Sequence, residues 1–150
     1  MRHISIKMGL YMLAGFIAFF LLMYGLGFGY HSELRAFNAV IQILFLYRAI
    51  RAYYALDPRN THNSLLGVAQ GMWVSAIGVG GFAIFMTIFL SLNPIFMKAI
   101  AENSAVGAHL NPFTASISIL TEGLIVSLIG SYIFTRVSED EPLTQKDKLT

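Results

Sequence analysis

The 150 residues amount to one domain, 56% hydrophobic and only 12% charged, with a mean hydropathy of +0.65. A soluble chain of this length could not hide so much apolar surface, so lipid is the expected solvent for most of it. A formal charge of +2 offers no footprint for nucleic acid, and the lack of cysteine excludes disulfides, thiolate zinc sites and thiol catalysis.

Arg2, His3 and Lys7 precede an uncharged run over 8–30, long enough to cross a bilayer. The run is too long for a cleaved signal peptide and ends in Gly25-Leu-Gly-Phe-Gly-Tyr30 rather than a small-residue cleavage site, so it reads as a first transmembrane helix. That triple glycine spacing follows no strand, which argues against a phosphate-cradling loop. A short connection returns the chain as a second span over 34–56. Its uncharged part stops at Tyr47, and Arg48, Arg51, Tyr53 and Tyr54 are expected in the headgroup belt. Asn38 and Gln42, four apart, share one face inside the membrane, as a polar lining or as interhelical hydrogen-bonding groups.

A turn-rich segment from Asp57 offers Asn63 or Ser64 as cap for a third span over 65–92. Gly67, Gly71 and Ser75 recur every four residues, and Gly78 continues a stripe that admits a close helix neighbour. Asn93-Pro94 then starts a short interfacial helix carrying Lys98 and Glu102. Asn111-Pro112 opens the fourth span, over 112–135, whose Gly123, Ser127 and Ser131 form a second small stripe, the expected partner of the first. Residues 1–136 therefore read as one membrane domain, and 137–150 as a charged cytoplasmic tail without a packed core. The fold class expected is an all-α, four-transmembrane-helix bundle.

One acid interrupts the last span. Glu122 lies ten residues past Pro112, about 15 Å along a helix and so near mid-bilayer. Carboxyl groups at that depth usually face a bundle interior or a water-filled path. Glu122 is thus expected to point inward as a neutral acid, with Gln42 and Asn38 as polar neighbours across the bundle. It is the candidate group for proton or cation movement, and equally for a structural hydrogen bond between helices.

Four stretches carry a resemblance: Tyr47-Arg-Ala-Ile closing the second span, Gly67-Val-Ala-Gln-Gly71, the exit Leu92-Asn-Pro-Ile-Phe-Met97, and Glu122-Gly-Leu-Ile-Val-Ser-Leu-Ile-Gly130. Over about two thirds of the chain they resemble a family of small four-helix membrane proteins widespread in Bacteroidota. The resemblance implies a bacterial inner-membrane location and four spans. That family has no established activity, so it lends no site.

No nucleophile–base pair, carboxylate dyad or nucleotide motif is present, so no catalytic residue, metal or cofactor is expected. His31, Glu33, Glu102 and His109 fall on one side of the membrane but lack a ligand spacing. The sequence therefore points to a non-enzymatic accessory or scaffolding protein, its partners the bilayer and other membrane-protein subunits or its own copies. The competing class is a small transporter or ion-conducting oligomer using Glu122.

Orientation follows from charge. With the N-terminus inside, Arg2, Lys7, Arg48, Arg51, Arg59, Arg136, Lys146 and Lys148 are cytoplasmic and only Arg35 and Lys98 are outside. Reporter fusions after Tyr30 and after Thr150 should accordingly report opposite sides, the second cytoplasmic; a C-terminal reporter outside the cell would overturn the scheme.

Overall fold

Hydrocarbon offers the backbone no hydrogen-bond partners, so long apolar runs cross it as helices. The computed structural model describes residues 2–29, 34–56, 63–103 and 110–140. Its elements are α1 (Arg2–Gly25), α2 (Leu34–Leu56), α3 (Ser64–Leu92), the short α4 (Pro94–Glu102) and α5 (Pro112–Asp140). All but α4 are long and apolar enough to span a membrane. The protein is an all-α, multi-pass membrane bundle.

The helix ends have local causes. α1 covers Arg2–Gly25 rather than 8–30: Lys7 stays within the helix by setting its ammonium over the Tyr11 ring at 5.9 Å. It stops because Gly27 takes a left-handed conformation at φ 81°. Gly27 N donates to Tyr24 O at 3.1 Å and Phe28 N to Met23 O at 2.9 Å, the paired bonds of a Schellman cap. The glycine run thus ends a helix, in line with the reading that it is no phosphate-cradling loop.

The two Asn-Pro entries differ. Asn111 Oδ1 accepts from Phe113 N and Thr114 N, and Asn111 N donates back to Thr114 Oγ1 at 2.8 Å, a reciprocal N-terminal cap for α5. Asn93 instead turns its amide back to Phe89 O at 2.9 Å, capping the end of α3, while Pro94 begins α4. α5 runs on to Asp140, four residues into the segment expected as tail, where Pro142 lies two residues ahead. Residues 141–150 lie outside the described residues.

Around the bundle the order is α1, α3, α5, α2, with α2 also touching α3 across the middle and α1 and α5 at opposite corners. Two different materials fill the core. Toward α4, α1 and α3 lock through phenyl rings: Phe20 packs on Phe82, Phe85, Phe89 and Phe96, its centroid 5.0 Å from that of Phe89. Phe96 and Met97 of α4 are buried, so this short helix covers that end of the bundle. Its exposed Lys98 and Glu102 pair loosely at 3.9 Å.

Toward the other end the material is glycine and serine, and α3 and α5 form the most extensive helix pair. A Cβ on Gly67 would collide with Tyr54 and Thr135, and one on Gly71 with Ser131. On α5, a Cβ at Gly123 would strike Val79. Ser75, Ser127, Ser131 and Thr135 are fully buried. Two antiparallel helices are thus in register in steps of four, one turn per step.

Gly78 departs from the expected stripe. It faces Met12 of α1, whose Sδ lies 2.6 Å from where a Cβ would stand. The reason is that Gly78 lies three residues past Ser75: the four-residue row continues through Val79, which faces Gly123 of α5, and Gly78, about 100° round the helix from Val79, faces α1.

Gly71→Leu should lower thermal stability in detergent strongly, by about 1–3 kcal/mol or more, because Ser131 on a neighbouring backbone cannot retreat. Gly78→Leu should cost less, since a methionine can swing aside. Gly80→Ala, with nothing within 4 Å, should cost nothing. Equal losses at all three would refute this account of the interface.

Candidate functional site

The polar groups divide into a buried set and an outward set. Gln42 of α2 is 4% exposed and reaches α5. Its Nε2 donates to Gly123 O at 2.6 Å and also to Ser127 Oγ. Ser127 Oγ in turn donates to Gly123 O at 2.6 Å. One amide and one hydroxyl therefore converge on one carbonyl of α5. Of the two readings of Gln42, the geometry is that of an interhelical hydrogen bond. Asn38, one turn earlier, has a buried Oδ1 without a hydrogen-bond partner among the described residues and is not joined to this knot.

A second buried contact ties α1 to α3, where Ser5 Oγ donates to Gln70 Oε1 at 3.0 Å. No sequence motif announced it. Gln70 is 3% exposed and faces α1, about 100° round the helix from Gly71, which faces α5. The hydroxyls of Ser131 and Thr135 lack conventional partners among the described residues. Each stands where a glycine Cβ would project, so the Cα–H of Gly71 or Gly67 is aimed at it. Weak Cα–H···O contacts of that kind recur where helices approach through glycine.

Glu122 does not point inward. Its side chain is exposed on the outer surface of α5, and it lines a shallow groove with Ile117, Ser118, Thr121, Ile125 and Val126, all from α5 itself. The physical reason is angular: Gly123 faces Val79 and Gln42, and the preceding residue on a helix is turned about 100° away. The inward positions went to Gly123, Ser127 and Ser131, and the acid beside them was carried outside. The expected grouping of Glu122 with Gln42 and Asn38 does not form.

Two further expectations change. Tyr53 and Tyr54, assigned to the headgroup belt, are 3% and 2% exposed, and Tyr54 packs against Gly67. Both therefore face the bundle interior, and other tyrosines meet the cations at that end. Arg51 lies over the Tyr47 ring at 5.9 Å and donates to its hydroxyl at 2.6 Å, and Arg136 lies over Tyr132 at 5.8 Å. With Lys7 over Tyr11, three helices each place a tyrosine four residues membraneward of a cation, all at the end of the bundle opposite α4. The repeated spacing was the signal available in the sequence.

His31, Glu33 and His109 lie outside the described residues, and among the described residues no cluster of three metal-ligating side chains occurs.

Gln42→Ala should lower stability by about 1 kcal/mol, and Glu122→Ala should leave it unchanged, in thermal unfolding in detergent. A greater loss at Glu122 would place the acid inside the fold. Comparison with family models, with curated proteins and with solved structures finds no match for this chain, so its site is read from its own geometry.

Proposed function

We propose that this is a non-enzymatic accessory or scaffolding protein of a bacterial inner membrane, acting by contact with other membrane-protein subunits or with its own copies. The observation that carries this reading is the division of polar groups. Gln42 and Ser5 are engaged between helices, and Glu122 is turned away from the core. An ion path through one copy would need polar groups in series inside the bundle. Here the inner polar groups tie helix to helix, and the costly one is presented at the surface. Such a surface group suits recognition in lipid, where apolar area alone selects no partner. Both termini lie on the same side with four spans, and the eight-to-two excess of basic residues supports the cytoplasmic side. The resemblance to the Bacteroidota family supports the inner membrane.

A second reading is favoured by the same carboxyl. Neighbouring copies could close the groove of Ser118, Thr121 and Glu122 into a proton or cation path between subunits. Purification in mild detergent should yield the protein with a stoichiometric companion or as a defined oligomer, and vesicles holding the purified protein should stay proton-tight. A Glu122-dependent proton or cation flux, abolished by Glu122→Gln in a folded protein, would replace the contact reading with the second.

A further inference from the structure

We propose that the seam between α1 and α2, at the end of the bundle opposite α4, holds one anionic phospholipid, its phosphate between Lys7 and Arg48 and an acyl chain along the seam below them. The inference goes beyond the contact reading above and does not rest on it. Gly15 of α1 faces Ile41 and Phe45 of α2, and Phe19 meets Phe37 with ring centroids 5.9 Å apart, so the two helices pass antiparallel. That pairing, carried back eight residues from Gly15, sets Lys7 level with Arg48 to within about one turn. Both cations also border the seam. Lys7, Tyr11, Gly15 and Ala18 follow at intervals of four, four and three on α1, as Arg48, Leu44 and Ile41 follow at four and three on α2. Lys7, Tyr11, Ala18, Arg48 and Leu44 are all exposed.

Charge, depth and shape select the occupant. Neither α1 nor α2 contains an acidic residue, so the two cations meet no carboxylate from the helices that form the seam. Lys7 is the last charge before the uncharged run of α1, and Arg48 the first after that of α2, which sets both at the margin of the hydrocarbon. The Tyr11 ring, one turn further into the membrane, holds the Lys7 ammonium at 5.9 Å, so the charge lies down along the helix. A phospholipid brings its phosphate to this level in its ordinary position in the bilayer. An acidic peptide would have to leave water to reach it. A zwitterionic headgroup carries its own ammonium and gains little beside two cations, whereas a net-anionic phosphodiester gains from each. Beyond Tyr11 the α1 row turns small, with Ala14 beside Gly15 and Ala18, and Leu44 stands across from it, 53% exposed. This strip, about 10 Å long, gives an acyl chain close contact continuous with the phosphate position.

The single tryptophan permits a direct test with the full-length protein in phosphatidylcholine bilayers containing brominated phosphatidylglycerol, which quenches indole fluorescence on contact. Trp73 is 66% exposed on α3, outside the seam, and reports the average lipid. Leu44→Trp in a Trp73→Phe background puts the sole indole in the seam, at a side chain already exposed. Phosphatidylglycerol should be enriched there over its bulk proportion by about fivefold for each cation, while Trp73 in the parent tracks the bulk. Lys7→Gln and Arg48→Gln should each remove one such factor, and Lys7→Arg and Arg48→Lys should retain it. Arg136→Gln, which takes the same charge from another helix at the same end, should leave the enrichment unchanged. An unchanged melting temperature shows that the variants stay folded. Equal quenching at position 44 and at Trp73, or a loss with Arg136→Gln as large as that with Lys7→Gln, would overturn the proposal. An indole at position 44 quenched by neither brominated phosphatidylglycerol nor brominated phosphatidylcholine would mean that protein fills the seam. That result would overturn the lipid and leave the contact reading standing.

Discussion

Everything else in this bundle is arranged around the approach of α3 to α5. In water two helices are pressed together by the exclusion of solvent, but between lipid tails that force is absent and close packing must supply the attraction. Gly67 against Thr135, Gly71 against Ser131 and Val79 against Gly123 bring the two backbones near enough for dispersion contacts along four turns. That approach fixes the rotation of both helices. With Val79 against Gly123, Gly78 beside it is turned toward Met12 of α1, and Glu122 beside Gly123 is turned out.

The rotation also decides what the polar residues can do. Gln42 bonds the carbonyl of Gly123, the residue whose missing side chain admits Val79, so hydrogen bonding and close packing meet at one position of α5. The two halves of the bundle are consequently unlike. Near α4, phenyl rings of α1, α3 and α4 meet edge to face, whereas the other half is held by glycine and serine at close backbone approach. A change of one methyl group is tolerated better in the first half than in the second.

Much of this was legible in the sequence, and the reasons differ by feature. Four spans follow from run length and composition, which depend on no neighbour. The small stripes at Gly67, Gly71, Ser75 and at Gly123, Ser127, Ser131 are visible as spacing, and the structure places them on one interface. The ends of α1 were misjudged because snorkelling lets Lys7 sit inside a helix, and because the stop at Gly27 is a conformational event rather than a change in hydropathy. Tyr53 and Tyr54 look interfacial by residue type alone; only the gap left by Gly67 on another helix draws Tyr54 inward. Glu122 was misplaced by a rule about depth that says nothing of angle.

That error shows where function enters. Within one copy, an outward carboxyl contributes no packing to the core, while its exposure to hydrocarbon carries a cost. A neutral amino acid at that position would fold the same bundle, since the inward positions on either side of it, Ile119 and Gly123, already define the α5 interface. The role proposed for the acid therefore lies at the outer face of α5, outside the helix–helix contacts of the bundle. Gln42 and Glu122 differ in placement: the amide bonds Gly123 and Ser127 across the bundle, and the acid lines a groove on the outer face of α5.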